Sequence, residues 1–336
     1  SNDPENPYGV DFTIFGNSFS GSSEPGIVQV MKDDNDNQLP DDTWYELAGS
    51  LHFSDLIERN YGVCYYAPSD GHPLGVPYTN FRGFESFVFQ NEFHTQTYYP
   101  LETYFPDYPA DSVCFNGNKL NISFSVQNGI LSVSKYLFGY ADNIQTNTGI
   151  DLNLPDNPYT PDIVEGSGGN AMDISWAVNS NGEYIELDKI HFVRIISAVQ
   201  EDAGVLGEIS TEVLGVVDIP SNSGVHGKMN IISMETIPER MIAGSEIELK
   251  AVYFEKGHPV EEEINWQINQ PAILEILPGN ILRAKTQGEA VITASLSSDP
   301  EFAFSRTIAI VQPSAVEISP DLDMLLTDKE YLIKAK

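Results

Sequence analysis

Apolar and polar residues along this 336-residue chain alternate with a period of two over short runs, and each run ends in a cluster of Gly, Pro, Asn or Asp. Such a pattern predicts β-strands joined by turns, and at this spacing an all-β sandwich in place of alternating βαβ units. Strands are predicted at 11–15, 26–31, 44–48, 62–66, 94–99, 120–126, 131–138, 172–178, 190–199 and 208–217. The one helix-like segment is 54–60, with Ser54 as its N-cap.

A polar, Gly-bearing stretch, Ser221-Asn222-Ser223-Gly224, reads as a linker. Beyond it, strand-like runs recur at 247–253, 264–268, 273–276, 281–284, 290–294 and 306–311. The elements Pro238, Gly244-Ser245, Leu249-Lys250-Ala251, Trp266, Gly279, Leu282-Arg283-Ala284, Gly288 and Ala290-Val291-Ile292-Thr293-Ala294 resemble the bacterial Ig-like group 2 domain. Trp266 is then expected as a core aromatic on a central strand, and Gly279-Asn280 as a hairpin turn. Glu317-Ile318-Ser319-Pro320 followed by Leu332-Ile333-Lys334-Ala335 repeats Glu235-Thr236-Ile237-Pro238 followed by Leu249-Lys250-Ala251 at an offset of roughly 82–84 residues. The expected organisation is a jelly-roll-type β-sandwich binding domain at 1–228, an Ig-like β-sandwich at 229–312, and at 313–336 the start of a second Ig-like repeat or an extra strand.

Composition narrows the function classes. Forty-nine acidic residues against 17 basic ones leave a net charge of −32, which repels nucleic-acid phosphates and favours cations. Residues 1–228 carry 32 of the acids and only 8 of the bases. Hydrophobic residues make up 41% of the chain, so the acidity does not signal disorder. No apolar run approaches the roughly 20 residues of a membrane helix, and the start at Ser1-Asn2 reads as a chain whose export signal has been removed. Cys64 and Cys114 lie in strand-like runs and leave two outcomes open, one disulfide or two buried thiols.

The acidity is bunched. In 33–42, oxygen donors at Asp33, Asn35 and Asn37, a backbone carbonyl at Leu39 and a carboxylate at Asp41 or Asp42 follow the alternating spacing of calcium loops. Gln38 departs from the glycine of an EF-hand loop, and Trp44 stands where its last Glu belongs, with Glu46 close by. A second acidic group, Asp142, Asp151, Asn153 and Asp156, occupies a long loop and is a further calcium candidate. The bland alternative in both places is a solvated polar loop with Asx-turns.

Between Tyr61 and Tyr108 lie eight Tyr and six Phe. Flat amphipathic rings stack sugars and other planar ligands, so Tyr65, Tyr66, Tyr98, Tyr99, Tyr104 and Tyr108, with Trp44, are the candidate ligand-binding residues. The pleat of a strand sends about half of them inward. Phe15-Gly16-Asn17-Ser18-Phe19-Ser20 with Asp188-Lys189-Ile190-His191 resembles the GDSL hydrolases, which implies Ser18 as nucleophile, His191 as base and Asp188 as its orienter. Against this, a turn follows Ser18 where that α/β family needs a helix. Glu24, Glu46, Glu92 and Glu208 are candidates for a glycosidase pair, but nothing in the sequence pairs any two. The remaining histidines show no metal-ligand spacing, and no catalytic residue is assigned.

The blocks Asp11-Phe12-Thr13-Ile14-Phe15-Gly16-Asn17, Ser23-Glu24-Pro25-Gly26-Ile27-Val28, Trp44-Tyr45-Glu46-Leu47-Ala48-Gly49-Ser50, Gly139-Tyr140-Ala141-Asp142-Asn143 and Phe192-Val193-Arg194-Ile195 resemble a group of exported, often lipid-anchored surface proteins of Gram-negative gut anaerobes. That resemblance implies an extracellular or outer-membrane location. The expected function is a non-catalytic binding protein for an extracellular glycan or surface protein, with Ig-like spacers; the alternative is an accessory to corrinoid uptake.

Overall fold

A computed structural model describes residues 2–3, 6–18, 23–68, 75–89, 99, 111–121, 124–127, 130–133, 135–143, 169–200, 209–221 and 230–312. Among them the regular elements are all strands apart from two short 3-10 turns, Pro7–Gly9 and Ile174–Trp176. The chain is therefore all-β, with the several sheets of a sandwich fold. No helix among the described residues is long and apolar enough to cross a membrane. Two compact units are present: Ser1–Ser233 with Phe254–Pro259, and Met234–Tyr253 with Val260–Lys336.

The first unit begins with β1 (Phe12–Phe15), β2 (Gly26–Met31), β3 (Trp44–Leu47), β4 (Ile57–Tyr66), β5 (Gly75–Asn80), β6 (Glu85–Phe89) and β7 (Ser112–Leu120). It continues with β8 (Phe124–Gln127), β9 (Ile130–Val133), β10 (Tyr140–Ala141), β11 (Asn170–Met172), β12 (Ala177–Val178), β13 (Phe192–Ser197), β14 (Gly215–Asp218) and β15 (Asn230–Ser233). Strand β2 reads Gly-Ile-Val-Gln-Val-Met and is buried at every position. A near-continuous apolar run of this kind suits a strand covered on both faces. It pairs along its whole length with β13, and on its other edge with β10 and then β3. Strands β6-β5-β4-β7 form a separate antiparallel sheet, whose inner face packs Tyr61, Val63, Val76, Tyr78 and Val88 together.

Cys64 of β4 and Cys114 of β7 are direct cross-strand partners and form a disulfide. Their Cα atoms lie 4.0 Å apart, close to the short spacing of a non-hydrogen-bonded antiparallel pair. The alternative of two buried thiols is thus overturned: Cys114 is exposed, and register rather than burial brings the sulfurs together.

Along the rest of the chain run β16 (Arg240–Ile242), β17 (Glu246–Glu248), β18 (Val252–Glu255), β19 (His258–Val260), β20 (Ile264–Ile268), β21 (Leu274–Leu277), β22 (Ile281–Ala284), β23 (Gly288–Leu296) and β24 (Ala303–Val311). Two sheets, ordered β16-β24-β23-β20 and β17-β22-β21, belong to the second unit. Alternation in β23 buries Ala290, Ile292 and Ala294, and Ile308 and Ile310 of β24, Leu274 and Leu282 are buried as well.

Three local expectations are corrected. Residues 54–60 are not a helix. Ser54 Oγ donates to Leu51 O and accepts the Leu56 N–H, closing a turn, after which Ile57 enters β4 opposite Leu120. Ile57 and Leu120 join one buried cluster, and that apolar burial outweighs a lone N-cap signal. The run 172–178 is broken by the 3-10 turn at Ile174–Trp176, because Asp173 accepts the Ser175 N–H at 2.7 Å. Trp266 is half-buried on β20, at the end of its sheet's strand order and not at its centre. The run 94–99 lies outside the described residues except for Tyr99.

Candidate functional site

The acidic loop 33–42 joins β2 to β3 and folds around its own side chains. Asp33 accepts the N–H groups of Asn37 at 3.2 Å and Gln38 at 2.8 Å. Asn35 Oδ1 accepts from Asn37 N–H at 3.0 Å, and Asn37 Oδ1 from Leu39 N–H at 2.7 Å. These Asx-type turns draw the loop into a tight coil. Gln38 takes φ 64°, the left-handed conformation that glycine supplies at the matching place of an EF-hand loop. Asp41 accepts from Asn37 Nδ2, and Asp42 from the Asp34 N–H at 2.9 Å. Glu46 does not serve the loop: its carboxylate meets His52 Nδ1 at 3.0 Å and accepts from Asn118 Nδ2.

Asp142 lies elsewhere, and Asp151, Asn153 and Asp156 lie outside the described residues. Fully buried, Asp142 accepts the N–H groups of Asn17 and Ser18 on one oxygen and of Glu212 on the other. Burial raises its pKa and the Glu212 charge adds to the rise, while those three N–H donors oppose it. Carboxylate oxygens of Glu24, Asp142 and Glu212 all lie within 4.8 Å of one another. One oxygen of Glu212, Oε2, is buried without a hydrogen-bond partner. Like charges held this close in a partly dry place repel, and a hard divalent cation would relieve the repulsion. Glu24 and Glu212 were not legible as a pair with Asp142, since positions 24, 142 and 212 meet only through the fold.

The aromatic segment divides between core and surface. Tyr65 packs against the β4–β6 core cluster and donates its hydroxyl to Gln200 O at 2.8 Å. Tyr99 packs against the same cluster. Tyr66 is exposed, whereas Trp44 is half-buried beneath Arg194, whose Cζ lies 4.2 Å from the ring centre. Tyr98, Tyr104 and Tyr108 lie outside the described residues. Among the described residues the most open rings are phenylalanines that the sequence did not single out: Phe81 at 62% exposure, Phe84 and Phe89. Phe81 rests on Gly62, where a Cβ would stand 2.1 Å from the ring, so the glycine lets the ring lie flat on the sheet. Phe89 stacks on Phe87 with centroids 5.5 Å apart.

The residues of the hydrolase reading go to separate contacts. Ser18 N–H donates to Asp142, Asp188 pairs with Lys32 at 2.8 Å, and His191 Nδ1 accepts the Asp33 N–H. Among the described residues no hydrogen bond joins Ser18, His191 and Asp188 to one another. No family model matches the chain, and no curated protein matches it.

Proposed function

We propose that this is an exported, non-catalytic cell-surface binding protein whose first unit is a jelly-roll-type binding head for a glycan, followed by a group 2 Ig-like spacer. The observation that carries the reading is the set of exposed rings on the β4–β7 sheet, Tyr66 and Phe89 on its strands and Phe81 and Phe84 in the turn between β5 and β6. Exposed aromatics on a sheet pinned by a disulfide supply flat apolar area at little entropic cost, which suits the faces of sugar rings. A disulfide also belongs to an oxidising compartment, which supports location outside the cytosol.

A glycan array is the direct test. Neutral oligosaccharides are expected to bind, and Phe81→Ala and Phe89→Ala each to weaken the best of them about tenfold. Binding of cobalamin in calorimetry with no glycan retained on the array would replace the sugar by a corrinoid. Loss of neither ligand in the phenylalanine variants would sink the ring face as the site.

Calcium is the cation of this reading, held by the 33–42 loop or by Glu24, Asp142 and Glu212. A ligand that binds only the native state stabilises it by about 2.7 kcal/mol at a hundredfold excess over its Kd. EDTA is therefore expected to lower Tm and added calcium to restore it. Asp33→Ala abolishing the calcium response places the ion in the loop, and Glu212→Gln abolishing it places the ion in the carboxylate cluster. A wild-type Tm that ignores both EDTA and calcium would refute the metal.

A further inference from the structure

One buried polar relay ends at the surface in an arginine. Asn118 on β7 donates to both oxygens of Glu46 on β3, at 2.9 and 3.0 Å. Glu46 meets His52 Nδ1 at 3.0 Å, which makes that nitrogen the donor and leaves Nε2 an acceptor. Arg59 on β4 donates from Nη1 to His52 Nε2 at 3.0 Å and from Nη2 to the His52 carbonyl. His52 is only 1% exposed, yet Arg59 is exposed. Three residues from two strands and a turn thus hold one guanidinium in a single orientation at the surface.

What surrounds that guanidinium points to a ligand. The chain has 49 acids for 17 bases. Arg82, Arg283 and Arg306 each have a carboxylate partner, whereas among the described residues neither Arg59 nor Arg240 has one within ion-pair distance. Phe53 lies beside it, 6.0 Å from Arg59 Cζ to the ring centre, and Tyr184 follows with centroids 5.9 Å apart. Both rings are partly open, at 40% and 36%. Tyr184 is backed by His258 of the same unit at 4.5 Å, and its partial burial raises its pKa. Gly182, at φ +79°, passes where a Cβ would stand 3.5 Å from Arg59 Nη1, so no side chain covers the guanidinium there.

We propose that Arg59, Phe53 and Tyr184 form a second binding site, for a sugar ring bearing a carboxylate, with the guanidinium taking the carboxylate and the two adjoining rings forming one apolar wall beside the sugar. The inference rests on the reading of the first unit as a glycan-binding head. The planar fork of arginine matches a carboxylate in bidentate geometry, and its remaining N–H groups are the donors left over from His52. His52 and Glu46 act through Arg59 and are positioning residues.

The test is calorimetric or NMR titration of the full chain with trigalacturonic acid and with neutral trigalactose. Trigalacturonic acid is expected to bind at least tenfold tighter than trigalactose. Arg59→Gln and Tyr184→Ala are each expected to cost that preference tenfold or more. Tyr184→Ala stands outside the relay, so it tests the site even if Arg59→Gln weakens the fold, and Arg59→Lys keeps charge without the fork and should recover only part of the affinity. Equal binding of the two sugars, or unchanged acidic preference in folded Arg59→Gln, overturns the proposal. Preference for a sulfated over a carboxylated sugar overturns the carboxylate assignment. If neutral glycans bind and acidic ones do not, this site fails while the glycan reading stands; if no glycan of either kind binds, both fail.

Discussion

Replacing Cys64 and Cys114 together by alanine is expected to lower the stability of the first unit by about 4 kcal/mol. The two cysteines are separated by 50 residues along the chain, and closing a loop of that length removes about that much chain entropy from the unfolded state. For a unit of this size the loss corresponds to a fall in Tm of roughly 8–16 °C. Reduction of the wild type should reproduce the double variant, because both remove the same constraint. A melt that is identical with and without reductant would show that the bond adds nothing. The link joins β4 to β7, the strands at the centre and edge of the aromatic sheet, so glycan affinity should fall in the variant along with stability.

The second large effect is an inverted pH dependence. Asp11 is buried, accepting from Asn6 Nδ2 at 2.8 Å and from the Ile174 N–H at 2.8 Å. Burial pushes its pKa up to about 6 despite these donors. Asp173, buried beside it, is pushed up to about 7, mainly by burial, with the Asp11 charge adding to the rise. Both folded values lie above the unfolded value near 4, so between roughly pH 4 and 7 the native state holds more protons than the unfolded chain. The stabilisation is fully present below pH 4 and is lost as pH rises through 6 and 7. The exposed Asp188–Lys32 pair works in the opposite sense and contributes little, since solvent screens it. Urea midpoints should therefore fall from pH 5 to pH 8. Asp173→Asn keeps an oxygen to accept the Ser175 N–H and removes the buried charge; at pH 8 it should stabilise the chain, on the order of 3 kcal/mol, and at pH 5 by much less. A wild type that gains stability from pH 5 to pH 8, or an Asp173→Asn variant no more stable at pH 8, would refute this.

How far the sequence reaches depends on the distance over which each feature is written. Strand β2 was legible to its ends, because a run of apolar residues bounded by turn formers predicts a buried strand from local information alone. The 33–42 loop was legible for the same reason: its oxygen donors alternate within ten positions, and its turns close between residues two to five apart. Gln38, a departure from the glycine pattern, takes a left-handed φ of 64°. The mistaken helix at 54–60 marks the limit, because Ser54 offered a local cap while Ile57 was claimed by Leu120, a partner 63 positions away in the chain.

All-β character and the position of the acidic loop were thus determined by the sequence by itself, since hydrophobic alternation and oxygen spacing are properties of short segments. Tertiary structure alone decided which rings stay open, that Cys64 faces Cys114, that Asp142 meets Glu24 and Glu212, and that Asn118, Glu46 and His52 converge to hold Arg59 at the surface. The physical reason is that cross-strand register and sheet packing set these distances. A register shift of one residue would turn Glu46, Arg59, Cys64, Cys114 and Asn118 to the opposite face of their strands, and no single stretch of chain encodes that choice.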